Sequence, residues 1–127
     1  MAMQPWLRFA VAAHALGWAA ASAQTGGAFP EPADARLSGG RTVWLGTCRD
    51  CHGNSMSDAP HFKNIEAWRP RLARGRPALY ASALGGRKGE GDAEMPARGG
   101  NASLTDDEVK AAVDYMVWLV EPRKESR

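Results

Sequence analysis

The chain carries only two cysteines in 127 residues. That number excludes a fold stapled by several disulfides, which needs four or more. The formal net charge is +2, too small for an electrostatic surface built for nucleic acid or an anionic membrane. No stretch alternates apolar and polar residues long enough to make a framework of strands. After the first two dozen residues, no hydrophobic run is long enough to cross a bilayer. What is present is an ordinary globular balance, 44% hydrophobic and 24% charged, at a length that fits one domain. The 14 glycines and 8 prolines predict many turns between short elements.

The opening segment, MAMQPWLRFAVAAHALGWAAASAQ, reads as a secretory leader. Arg8 supplies the positive start, Phe9 to Ala21 the apolar run, and Ala21-Ser22-Ala23 the small residues before a cleavage point after Ala23. The run is too short to span a bilayer comfortably. An uncleaved anchor is the other reading, and His14 inside the run is unusual for a leader. The expected organisation is a signal peptide over 1–23, a flexible segment over 24–37, a folded domain over 38–121 and a polar tail over 122–127. Export places the protein in the periplasm.

Both cysteines fall in one stretch, TCRDCHGN, with His52 directly after Cys51. A disulfide across two intervening residues closes too small a loop to add much stability. A thioredoxin-like redox site wants a preceding strand and a βαβ frame, and neither is visible. A zinc site needs two further ligands, and beyond the leader only His61 remains besides His52. Cys-x-x-Cys-His is the attachment signal for a c-type haem. Two thiols at this spacing reach the two vinyl groups on one porphyrin edge, and the next residue turns its imidazole to the iron. Thioether formation at Cys48 and Cys51 uses both thiols, so no other cysteine is needed.

The iron then has a second ligand or an open position. Met56 lies four residues after His52, leaving the chain little room to reach the other face, and His61 is also near in sequence. Met116 sits in an apolar helical stretch where a core methionine is the simpler reading. Met95 lies 43 residues beyond His52, in the loop-like EMPARGG. It is the favoured ligand, with gap-filling as its other reading.

These residues resemble a class I c-type cytochrome, in particular the bacterial cytochrome c5-like branch, over about Ser38 to Val120. Cys48-Arg49-Asp50-Cys51-His52-Gly53 matches the attachment site. Gly40 and Trp44 stand where this family has its helix-crossing glycine and aromatic. Met95-Pro96-Ala97-Arg98-Gly99-Gly100, followed by LTDDEVKAAVDYM, resembles the distal loop and final helix. The run GRKGEGDAE before Met95 departs from the family pattern. The resemblance implies an all-α class I cytochrome c fold, with short helices and loops wrapped around one covalent haem c and with crossing terminal helices. It further implies that the Pro60 carbonyl accepts a hydrogen bond from His52. Family tryptophans in this region often donate to a haem propionate, which implies that role for Trp68, with ordinary packing as the alternative. Arg69, Arg71, Arg74 and Arg76 are candidates for the same propionates or for a solvated basic face.

Pattern alone also predicts helices. Ser38 caps one running through RTVWLGTC, with Gly39 and Gly40 in its first turn. Ile65 to Ala73 is helical apart from an interruption at Pro70. Pro77 fits a first helical position, and Gly85-Gly86 ends that helix. The last helix is the best defined. Thr105 and Glu108 form a capping box, and Asp106 and Asp107 favour the positive helix end. Val109, Ala112, Val113, Met116, Val117 and Val120 recur at helical spacing, Tyr115 and Trp118 flank that face, and Pro122 stops the helix. A haem in the middle supplies apolar surface that short helices alone do not bury.

His and Met ligands leave no open coordination position, and the thioether favours reduced iron. That suits a periplasmic single-electron carrier, without enzyme activity, meeting a donor dehydrogenase or respiratory complex and an acceptor oxidase or reductase. Redox encounters of this kind are brief and small in area. The alternatives are a dedicated haem subunit of a periplasmic dehydrogenase, a haem enzyme or gas sensor, and a haem-free thiol oxidoreductase.

Overall fold

Short polar side chains set three of the helix starts in the computed structural model, which describes residues 29–121. The leader over 1–23, residues 24–28 and the tail with Pro122 lie outside the described residues. Helix α1, Ala35–Val43, begins at Asp34, whose carboxylate accepts from the Leu37 N–H at 2.9 Å. Ser38 is therefore not the cap. It lies one turn inside the helix, and its hydroxyl donates to Glu31. The chain continues through a π-helical turn, Trp44–Cys48, into α2, Arg49–His52. One unbroken rod thus carries Gly40, Trp44, both thiols and His52. The wider turn sits where the helix hands over from core contacts to the attachment motif, a common place for such turns.

Helix α3, Ile65–Leu72, is capped by Asn64 and runs through Pro70 without a break. Pro70 deprives only the Glu66 carbonyl of a partner, and both residues are exposed, so water can serve that oxygen. Helix α4, Arg76–Gly85, starts one residue before Pro77 and ends at Gly86. GRKGEGDAE, left without an element in the pattern, makes a small antiparallel hairpin. Strand β1, Arg87–Lys88, pairs with β2, Glu94–Met95, in the register Arg87 to Met95. A 3₁₀ turn follows over Ala97–Gly100, then α5, Asp106–Val120, with the Thr105–Glu108 capping box complete.

The core forms where α1 crosses α5. Trp44 and Tyr115 are fully buried, with Phe62, Trp68, Ala112, Met116 and Val120 around them. Gly40 allows the crossing: a Cβ there would stand 2.0 Å from the Ala111 carbonyl oxygen. Tyr115 does not flank the apolar face but lies inside the core. Its hydroxyl donates to the Pro30 carbonyl at 3.0 Å, and Trp118 stacks on its ring at 5.6 Å. Pro30, in the segment expected to be flexible, is tied to the core by that hydrogen bond. Phe29 packs on Trp44 and Phe62, and its carbonyl accepts from Arg41 at 3.0 Å.

Behind the core, one acid joins three helices. Asp114 is buried at 6% exposure. It accepts from Arg36 of α1 at 3.1 Å, from Tyr80 of α4 at 2.6 Å, and from Arg76 of α4. Burial is the largest single influence on its carboxyl and pushes the pKa up. The three donors together outweigh it and hold the group below the usual carboxylate range.

Candidate haem site

The handover from α1 to α2 aims both thiols and His52 at one large cavity of about 1200 Å³. Cys48 is half-buried and Cys51 exposed, with no disulfide between them. Burial, with a smaller contribution from Cys51, pushes the Cys48 thiol up to about 11. The Phe62 N–H donates to the His52 carbonyl at 2.9 Å, which folds the following loop back over the motif.

The His52 Nδ1–H donates to the Pro60 carbonyl at 3.0 Å. A carbonyl only accepts, so this contact fixes the tautomer and leaves the Nε2 lone pair free. Burial pushes the His52 pKa down. The hydrogen bond to Pro60 opposes that shift, and the Arg71 charge adds to it. The imidazole is therefore neutral at neutral pH, the form that binds a metal. Trp68 packs beside it, with ring centroids 5.8 Å apart. The Trp68 N–H, however, donates to the His61 carbonyl at 3.0 Å. The indole here is a packing wall for His52, and the N–H expected to meet a propionate is already engaged.

Two thioethers line the same cavity, Met95 on β2 and Met116 on α5. Met116 is buried in the core, and its sulfur accepts from the Trp44 indole at 3.2 Å. Met56 is 93% exposed and is not part of the cavity wall. His61 is outside the wall too, its Nδ1 accepting from the Lys63 N–H at 3.2 Å. Of the four candidate arginines, Arg71 and Arg74 line the cavity. Arg69 pairs with Glu66, and Arg76 is held by Asp114.

The donor set suits a c-type haem. Two thiols and an oriented neutral imidazole come from one turn of chain, facing a cavity walled by Val43, Leu79, Ala83 and Val113. Cys48 and Cys51 would hold the group covalently, and His52 would bind its iron. The bound group supplies a one-electron couple. Sequence reasoning missed Asp114 and the tight backbone approaches around Met95. A lone acid inside the apolar run AAVDYMVWLV was the available signal for Asp114. Its partners lie 78, 38 and 34 residues away, so nothing local named them.

The family model described as "Cytochrome C oxidase, cbb3-type, subunit III" matches residues 35–116. Cytochrome c-555 of Chlorobaculum tepidum is 42% identical over 78 residues, covering 61% of this chain and 71% of that protein. Cytochrome c5 of Azotobacter vinelandii is 35% identical over 74 residues, covering 57% and 83%. A solved cytochrome c chain, from an electron transfer complex with nitrite reductase, superposes with a TM-score of 0.54 at 36% identity, covering 65% of this chain and 94% of that one. The attachment motif, the crossing of α1 and α5 and these likenesses agree: the chain belongs to this family of cytochrome c domains and is a class I c-type cytochrome, an electron-transfer protein.

Proposed function

We propose that the protein is a periplasmic single-electron carrier with one haem c on Cys48 and Cys51, and with His52 and Met95 as the axial ligands. The observation that carries this reading is the shared cavity. His52, oriented by Pro60, and Met95, held in the β1–β2 ladder, both line it together with the two thiols. Met116 is the weaker candidate, because its sulfur already accepts the Trp44 N–H. Thioether together with imidazole ligation would raise the potential, and iron held by two side chains would leave no place for substrate. Arg71 and Arg74 would meet the haem carboxylates, and Trp68 would keep His52 in position. The leader read from residues 1–23 supports export. The partners would be redox proteins, in line with the nitrite reductase complex in which the related cytochrome c was solved.

The test is the absorption spectrum of the matured protein. Met–Fe ligation gives a weak far-red band in the oxidised form. That band is expected in the wild type and absent in Met95→Ala. A band that persists in Met95→Ala defeats the ligand assignment. Rapid CO binding to the reduced wild type favours a sensor or enzyme instead.

A further inference from the structure

We propose that Gly86 and Gly99 are positioning residues for Met95: Gly86 closes on the main chain of the methionine segment and Gly99 on the Thr47 methyl, and together they hold that segment in place. This rests on the reading of Met95 as an axial ligand.

The segment from Gly86 to Gly100 leaves α4, turns through the hairpin and returns to the π-helical turn at Thr47. At its start, Gly86 has φ +80 and ψ 168, a conformation open essentially to glycine. A Cβ there would stand 2.9 Å from the Met95 carbonyl oxygen, 3.0 Å from the Ala97 nitrogen and 3.4 Å from the Pro96 carbonyl carbon. All three are main-chain atoms of the segment Met95-Pro96-Ala97, so no side-chain rotation relieves the contact. At the far end, Gly99 has φ +62, and a Cβ there would stand 2.7 Å from Cγ2 of Thr47. Thr47 directly precedes Cys48. The first approach sets how near Met95 lies to the end of α4. The second sets how near its segment lies to the attachment turn.

The structure contains its own control. Gly75, the cap residue at the start of α4, has φ 82 and ψ 163, nearly the backbone conformation of Gly86. A Cβ at Gly75 would meet only Cδ of Pro77, at 3.8 Å. Gly75→Ala and Gly86→Ala therefore impose similar backbone strain, and only the second displaces the Met95 main chain.

The experiment uses the matured holoprotein of wild type, Met95→Ala, Gly75→Ala and Gly86→Ala. It reads the far-red band, the midpoint potential and CO binding by the reduced form. Gly86→Ala is expected to lose the band, shift to lower potential and gain CO binding, while Gly75→Ala keeps the wild-type spectrum and potential despite a lowered Tm. An unchanged band in both glycine variants, or its loss in both, overturns the proposal. If Gly86→Ala fails to mature, Gly99→Ala and Gly99→Ala with Thr47→Ser decide. Loss of the band in the single variant and its return when the Thr47 methyl is removed supports the clamp; the same behaviour in both variants overturns it. A wild type without the band, or a Met95→Ala that keeps it, overturns the proposal together with the ligand reading. The Gly86 comparison alone distinguishes the other kind of failure.

Discussion

Gly39 and Gly40 are neighbours in α1, yet alanine at the two positions should have opposite effects. At both, helix propensity favours alanine by about 1 kcal/mol. A Cβ at Gly39 meets nothing within 4 Å, so that gain stands alone. At Gly40 the new atom would stand 2.0 Å from the Ala111 carbonyl oxygen and 2.5 Å from its carbon. The obstacle is backbone of α5, so the helices must separate by roughly 1 Å, and a close-packed interior feels such a shift throughout. Trp44 and Tyr115 lie beside that crossing. Overpacking of this kind costs about 1–3 kcal/mol, and a rigid obstacle places it at the upper end. The net loss for Gly40→Ala is then about 2 kcal/mol, lowering Tm by about 10 °C in a domain of this size. Gly39→Ala should raise Tm by about 4–8 °C. Thermal unfolding of the two holoprotein variants, followed by circular dichroism, checks both. A Gly40→Ala protein as stable as wild type would refute the crossing argument, and so would an equal loss at Gly39.

Two further outcomes follow from the electrostatics. In the haem-free chain, the Cys48 thiol, with its pKa raised to about 11, stays protonated at neutral pH, so alkylation should modify exposed Cys51 first; peptide mapping that finds equal rates contradicts the burial of Cys48. The Asp114 pKa is held down in the folded protein, so its contribution to stability is present above the ordinary carboxylate range and is lost as pH falls through the folded value. Asp114→Asn should cost about 2 kcal/mol at neutral pH, and its Tm should fall less steeply than that of wild type on acidification. Parallel Tm–pH curves would show that the acid does not hold the three helices.

What could be read from the sequence divides by distance along the chain. Cys48, Cys51 and His52 fall within five consecutive residues, so the attachment signal could be read without a fold. Thr105 and Glu108 are three apart, and the capping box was equally plain. Ser38 failed as a cap because Asp34, four residues earlier, offered a carboxylate to the same helix start. The partner of the Trp68 N–H depended on where the His61 carbonyl came to rest, which no local pattern gives. The clamp around Met95 and the Asp114 junction depend on backbone and side chains brought together from distant segments. No local pattern encodes either.

The central claim is tested most directly by the intact mass of the exported, matured protein under denaturing conditions. One haem should remain attached, with neither Cys48 nor Cys51 open to alkylation. A colourless polypeptide of unmodified mass, with both thiols alkylated, would contradict the account.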